Sequence, residues 1–175
     1  MRHNTQYKNL PHLDMKEHYQ FITFRTKESL DNYLKKLYSS DEPKKIKQYK
    51  MDQYLDKSPQ GAFLYGLLIQ KIINYYLSYD QKHFELSAVT VMPNHIHVLL
   101  KQLTDMTTIT RTLKGGSAHI INTELNRKGK VWSSDYYDKL IRDQNHFDLV
   151  YEYIRHNALK VGLADAEGRF YGAYE

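Results

Sequence analysis

Two histidines placed two residues apart are the strongest chemical signal in the sequence. His95 and His97 stand at the start of an apolar run that continues through Leu100. On a strand, successive side chains alternate between faces, so both imidazoles would project from one face, roughly 6.6 Å apart at Cα. Two neutral imidazoles can then bind one divalent cation, while Ile96 and Val98 pack underneath. The spacing also fits an exposed or hydrogen-bonded histidine pair, so the rest of the chain must decide between the two interpretations.

A second set of polar residues lies on the last predicted helix, which the pattern starts at Asn145 as cap and ends at Gly162. Its apolar residues share one narrow stripe that would face the core: Phe147, Val150, Tyr151, Ile154, Ala158 and Val161. Tyr153 and Asn157 lie one turn apart beside this stripe, on a flank that we expect to border the sheet without being buried in it. Tyr153 would then have a free hydroxyl, whereas Tyr151 would be a core residue. The spacing by itself also fits a purely structural tyrosine.

Strands and helices that could position these residues can be predicted along the chain. Periodicity predicts a strand at Tyr19–Arg25, a helix from Ser58 and Pro59 to about Tyr79, and a hairpin of Leu86–Val91 with His95–Leu100. A further helix over residues 107–125 is interrupted by two glycines, Gly115 and Gly116, which indicate a close backbone contact. Residues 27–57 are the least assignable part; their lysine cluster favours a solvated face over a phosphate contact.

The composition limits the classes of protein that fit. A length of 175 residues fits one domain, and no apolar stretch approaches the ~20 residues of a membrane span. The absence of cysteine excludes disulfides, thiolate nucleophiles and cysteine-based zinc sites. A net charge of +5 and sixteen tyrosines favour a nucleic-acid partner. The polar first thirteen residues have no signal-peptide core, so we expect a cytoplasmic protein.

Taken together, these segments resemble the single-tyrosine HUH transposases of the IS200-like superfamily, and most closely the REP-associated tyrosine transposases. The resemblance covers most of the chain, in order and spacing. It rests on the segments Phe21–Arg25, Val91–Leu100, Trp132, Tyr137–Asp138, Ile141–Asp143 and Tyr153–Asn157. One departure is Ala158, where this branch usually has proline after the asparagine.

The resemblance implies an α+β fold: a ferredoxin-like antiparallel sheet with helices packed on it, the His-x-His pair on a central strand, and the catalytic tyrosine on a C-terminal helix. It implies that His95, His97 and Asn157 bind Mg²⁺ or Mn²⁺ and that Tyr153 is the nucleophile. The product would be a 5′-phosphotyrosine and a free 3′-hydroxyl, an intermediate suited to rejoining strands.

The same resemblance implies that residues 1–175 form a single HUH transposase domain, with 27–57 as an insertion or variable region. The partner would be single-stranded DNA with stem-loops, such as REP-like or element-end hairpins, bound by a monomer or a homodimer with no membrane association. Arg25, Lys114 and Arg142 are the candidate DNA contacts.

Two other classes of function share part of this pattern. A histidine-triad nucleotide hydrolase needs a third histidine two residues after His97, where this chain has Leu99. A non-catalytic, domesticated protein that binds hairpin nucleic acid would keep the fold without cutting. The presence of His95, His97, Tyr153 and Asn157 together favours the enzyme.

Overall fold

A five-stranded antiparallel sheet forms the centre of the molecule. The computed structural model describes residue 12 and residues 14–175; the rest of the polar N-terminal segment lies outside the described residues. The strands are β1 (Tyr19–Arg25), β2 (Phe84–Val91), β3 (His95–Gln102), β4 (Tyr137–Leu140) and β5 (Phe170–Gly172). Their order is β4-β1-β3-β2-β5, with every neighbouring pair antiparallel. The strand that carries the histidine pair is therefore central, and the α+β prediction is confirmed.

Helices cover both faces of this sheet. They are α1 (Asn32–Ser39), α2 (Lys44–Lys57), α3 (Leu67–Leu77), α4 (Met106–Thr110), α5 (Ser117–Glu124) and α6 (Gln144–Lys160). A π-helical segment, Arg111–Gly116, joins α4 to α5 without a break. In the part of the chain that the structure describes, no helix has the length and apolar composition needed to cross a bilayer.

The alternation of side chains along β3 decides what each face of the sheet does. Ile96 and Val98 are fully buried in the larger apolar core, under α3, the π-helical segment and α5. Leu99 points to the other face and packs with Tyr151 and Ile154 of α6. His95 and His97 share that second face, because strand residues two apart point the same way. The imidazoles therefore lie under the C-terminal helix.

The helix predicted to start at Ser58 and Pro59 in fact begins at Leu67, and that part of the prediction is wrong. The backbone between them has positive φ at Gly61 and Gly66, a conformation that a helix does not contain. The amide of Leu64 also donates to the carbonyl of Pro93 instead of to a helical partner.

Residues 27–57, the least assignable part of the sequence, contain two helices that pack on each other. Buried apolar residues from both helices form a small separate cluster: Leu34, Leu37, Met51 and Leu55. The side chain of Asp31 caps α1 by accepting from the amide of Leu34 at 3.1 Å. The lysines of α2 share the helix with four buried residues, Gln48, Met51, Asp52 and Leu55, and the lysine-rich composition concealed this buried side.

The last helix has a different cap from the one predicted. Asp143, and not Asn145, accepts from the amide of His146 at 2.8 Å, so the helix starts slightly earlier. Gly162 follows the helix with φ of +77°, as expected of a glycine that ends a helix.

Candidate metal centre and its tyrosine

The two imidazoles are fully buried side by side, with ring centroids 4.8 Å apart. The Nδ1 atom of His95 lies 2.7 Å from Oδ1 of Asn94, and Nδ1 of His97 lies 2.7 Å from the hydroxyl of Thr23. The Nε2 atoms of both rings have no hydrogen-bond partner among the described residues. A histidine held through one nitrogen and unpartnered at the other is arranged as a metal ligand is.

Asn94 determines which nitrogen of His95 carries the proton. Its amide nitrogen donates to the carbonyls of Leu55, Ser58 and Gln60, at 3.0, 3.2 and 3.4 Å. Its Oδ1 must then face His95, and since that oxygen only accepts, Nδ1 of His95 is the donor. The lone pair of His95 is left on Nε2, on the side of the site.

The C-terminal helix places Tyr153 and Asn157 over the imidazoles. The ring of Tyr153 meets that of His97 edge to face, with centroids 5.3 Å apart. Asn157 is only 3% exposed, so the expectation that this flank would not be buried is wrong for Asn157. Its Oδ1 has no hydrogen-bond partner among the described residues. Tyr151 is buried in the core as predicted.

Two carboxylates from α2 complete the cluster. The hydroxyl of Tyr153 donates to Oδ2 of Asp52 at 2.8 Å, which corrects the prediction that this hydroxyl is free. The side chain of Gln48, one turn earlier, donates to Oδ1 of Asp52 at 2.7 Å. Asp56, one turn later, has Oδ1 3.6 Å from Nε2 of His95. That separation is too long for a hydrogen bond, so both atoms remain available to a ligand.

Burial controls the protonation of the whole cluster. It raises the pKa of Asp52 to about 7. The hydrogen bond from Tyr153 lowers this pKa, and the charge of nearby Asp56 raises it. Burial raises the pKa of Asp56 to about 6. It lowers the pKa of His95 to about 3 and that of His97 well below its usual value, so both imidazoles are neutral. Burial also raises the pKa of the Tyr153 phenol, with Asp52 adding to the effect.

The donor atoms fit a divalent cation. Ligand atoms of Asp52, His95 and His97 all lie within 4.8 Å of one another. The amide oxygen of Asn157 and one oxygen of Asp56 add unpartnered, buried acceptors beside them. Neutral imidazole with carboxylate and amide oxygen, and no thiolate, is a donor set that Mg²⁺ or Mn²⁺ can use.

The two acids on α2 are the part of the cluster that sequence reasoning missed. Gln48, Asp52 and Asp56 recur every four residues, and the two acids directly follow the buried residues Met51 and Leu55. An i, i+4 run of polar residues beside an apolar stripe places these side chains on one flank of a helix. That spacing was the available signal, and the lysines around it hid the helix.

The three candidate DNA contacts lie in different environments. Arg25 is buried, with Nη2 3.7 Å from Oδ1 of Asp135. The ammonium of Lys114 donates to the carbonyl of Ser133 at 2.6 Å. Arg142 is exposed. Arg142 is therefore the most accessible of the three, with Lys114 partly exposed, and DNA contact by any of them stays a prediction.

The protein has an α+β fold in which a buried His-x-His strand of an antiparallel sheet lies beneath a helix that carries a tyrosine. This arrangement defines its class. The family model described as "Transposase IS200 like" matches residues 68–157, just over half of the chain. The chain belongs to this family of IS200-like transposases. The matched region contains His95, His97, Tyr153 and Asn157, and it leaves out α2.

Solved structures with a similar fold include the following two. One is a REP-associated tyrosine transposase bound to a REP hairpin, with a TM-score of 0.51 and 17% identity over 90% of this chain and 76% of that one. The other is a transposase candidate from Deinococcus radiodurans R1, with a TM-score of 0.46 and 15% identity over 89% of this chain and 97% of that one. No curated protein matches the chain.

Proposed function

We propose that this transposase cleaves and rejoins single-stranded, hairpin-bearing DNA through a 5′-phosphotyrosine on Tyr153, with a divalent cation held by His95, His97 and Asn157. The observation that carries the proposal is the position of the Tyr153 hydroxyl. It lies against a buried group of atoms that could ligate a cation, and it is hydrogen-bonded to Asp52 at 2.8 Å. A phenol beside such a group is placed for attack on a phosphodiester.

The reaction exchanges one ester bond for another. The phenolic oxygen of Tyr153 forms a bond to phosphorus as the bond to the 3′ oxygen breaks, and the proton lost by the phenol balances the one gained by the leaving 3′-hydroxyl. A bound Mg²⁺ or Mn²⁺ would neutralise charge on the scissile phosphate. The protein itself orients the phenol through Asp52 and His97, and it excludes water by burying the cluster. The phosphotyrosine ester keeps the energy of the broken bond for rejoining.

We treat residues 1–175 as one domain. Several features support single-stranded hairpin DNA as its substrate. The net charge of +5 favours a polyanion. A transposase of similar fold is bound to a REP hairpin. Attack by a half-buried tyrosine also needs an unpaired, accessible backbone, so the chain should prefer stem-loops to blunt duplex at physiological salt.

Covalent trapping tests the nucleophile. Incubating the chain with single-stranded hairpin DNA and Mn²⁺ should give an adduct on a denaturing gel, with peptide mapping placing it on Tyr153. Tyr153→Phe should bind the same DNA without forming an adduct, because only the nucleophilic oxygen is lost. Tyr151→Phe, on the same helix but in the core, is the matched control and should keep most of the activity.

Other outcomes would contradict the proposal. Adduct formation by Tyr153→Phe, or DNA attached to Tyr151 or Tyr137, would show that another tyrosine reacts. Full cleavage in EDTA, or by His95→Ala, would show that the reaction needs no cation. Hairpin binding with no adduct under any of these conditions would favour the non-catalytic hairpin-binding protein instead.

A further inference from the structure

Asp52 lies between the nucleophile and the imidazoles. Its Oδ2 accepts from Tyr153 at 2.8 Å, and its Oδ1 accepts from Gln48 at 2.7 Å. One of its oxygens also lies within 4.8 Å of ligand nitrogens of both His95 and His97. An ionised carboxylate has about four lone-pair sites, so these two hydrogen bonds leave room for a cation.

We propose that Asp52 is a positioning residue that couples cation binding to the nucleophile: its carboxylate holds the Tyr153 hydroxyl and also ligates the cation beside His95 and His97. This inference rests on the proposed function of Tyr153. It adds to the cluster a residue of α2 that lies outside the matched family region of residues 68–157.

The placement of Asp52 is built into the fold. Met51 and Leu55 on either side of it are buried against α1, which fixes the rotation of α2. The end of α2 is held to the hairpin by hydrogen bonds from the side chain of Asn94 to the carbonyls of Leu55 and Ser58. A carboxylate only 6% exposed is costly to bury unless it is used, and the unpartnered Nε2 atoms beside it indicate the use.

Coupling follows from sharing one carboxylate. A cation draws charge from the oxygen that the Tyr153 hydroxyl bonds, so cation binding weakens that hydrogen bond. Because such coupling is reciprocal, the hydrogen bond must also weaken cation binding by the same factor. The hydrogen bond from Tyr153 to Asp52 would therefore be strongest without the cation and weaker, but still present, with the cation bound.

Titration with Mn²⁺ alone, on the full chain without DNA, tests this by isothermal calorimetry. Asp52→Asn should weaken Mn²⁺ binding by about tenfold or more, since the amide keeps an acceptor for Tyr153 but loses the charged ligand. Tyr153→Phe should tighten binding several-fold, because the competing donor is gone. In the Asp52→Asn background, Tyr153→Phe should have no further effect.

Asp148→Asn changes an exposed acid on α6 and is the control for the loss of one negative charge. It should leave the Mn²⁺ affinity unchanged.

A second measurement is the near-ultraviolet tyrosine absorption on adding Mg²⁺: the wild type should show a change that Tyr153→Phe lacks. Wild-type affinity in Asp52→Asn, or no Mn²⁺ binding by the wild type, would overturn the inference. If Asp52→Asn does not fold, Tyr153→Phe still tests the inference, and an unchanged Mn²⁺ affinity in that variant would overturn it. None of these measurements depends on DNA cleavage, so failure of the proposed reaction is seen separately.

Discussion

At the residue scale, Asn94 joins the hairpin turn to the end of α2 and orients a candidate ligand. Its amide donates to three carbonyls, and its oxygen accepts from His95. Asn94→Ala would remove these hydrogen bonds and leave the buried Nδ1 of His95 without an acceptor, a loss of roughly 1–3 kcal/mol for that group. We expect the free energy of unfolding to fall by about 2–4 kcal/mol in urea titrations. Mn²⁺ affinity should fall by about 10–100-fold, because an unheld imidazole loses its orientation.

Asn145→Ala is the matched control for this substitution. Asn145 is exposed, and the cap of α6 is Asp143. Its removal should change stability by less than about 0.5 kcal/mol. A loss comparable to that of Asn94→Ala would show that Asn145 caps the helix after all, and an unchanged Mn²⁺ affinity in Asn94→Ala would show that His95 orients itself.

Local periodicity located four of the six side chains of the cluster and missed the other two. The strand period places His95 with His97, and the helical period places Tyr153 with Asn157. Asp52 and Asp56 escaped because their helix has a weak apolar stripe among many lysines. The partner of Tyr153 also lies 101 residues away in the chain, and no local pattern reports such a contact.

At the element scale, the π-helical segment depends on a glycine. Gly116 lies against Tyr75 of α3, where an added Cβ would be 1.8 Å from the hydroxyl oxygen. That hydroxyl donates to the carbonyl of Thr112 at 2.9 Å, and the neighbouring Tyr76 donates to Leu113 at 3.0 Å, so two tyrosines satisfy carbonyls of the segment. Gly116→Ala should displace Tyr75 and lower the free energy of unfolding by about 1–3 kcal/mol.

The adjacent glycine provides the control for this prediction. An added Cβ at Gly115 meets nothing nearer than Cγ of Arg111 at 4.0 Å. Gly115→Ala should therefore be neutral or stabilise by up to about 1 kcal/mol, as expected of glycine replaced within a helix. Equal losses at the two positions in thermal or urea unfolding would mean that the backbone, and not contact with Tyr75, requires glycine there.

The existence of elements was predicted better than their ends. The hairpin, the helix that contains Gly115 and Gly116, and the C-terminal helix all formed where the pattern put them, but the two glycines do not interrupt their helix and lie in its π-helical part. The predicted start of α3 was wrong. Ser58 and Pro59 are typical of a helix start, but the positive φ of Gly61 shows that the backbone after them is not helical. Several residues can cap a helix equally well by type, so tertiary contacts choose among them.

At the scale of the whole molecule, the resemblance implied an antiparallel sheet with the histidine pair on a central strand, but the edge strand β5 was not predicted. Residues 166–169 form a 3₁₀ turn that leads into this strand, and Gly172 is paired with Ala88 of β2. Three residues are too few for a periodic signal. A buried arginine hydrogen-bonds this end to the rest of the fold, whereas sequence alone places arginine at the surface.

Arg169 joins three distant parts of the chain. It is fully buried; Nη1 donates to the carbonyls of Leu64 at 3.0 Å and Val91 at 2.8 Å, and Nε donates to Asp165 at 2.6 Å. Arg169→Met fills much of the same volume but leaves two buried carbonyls without donors. We expect the free energy of unfolding to fall by about 2–4 kcal/mol, measured by urea denaturation.

Arg155→Met separates this effect from the loss of a surface ion pair. Arg155 is exposed and pairs with Glu152 and Glu175 at 3.4 and 2.9 Å. Such pairs contribute at most about 1 kcal/mol, because solvent screens them and ordering the side chains costs entropy. Arg169→Lys keeps the charge but has no planar fork of donors, so its loss should lie between the two. If Arg169→Met cost no more than Arg155→Met, the C-terminal strand would be held by its backbone pairing with β2 and not by the arginine.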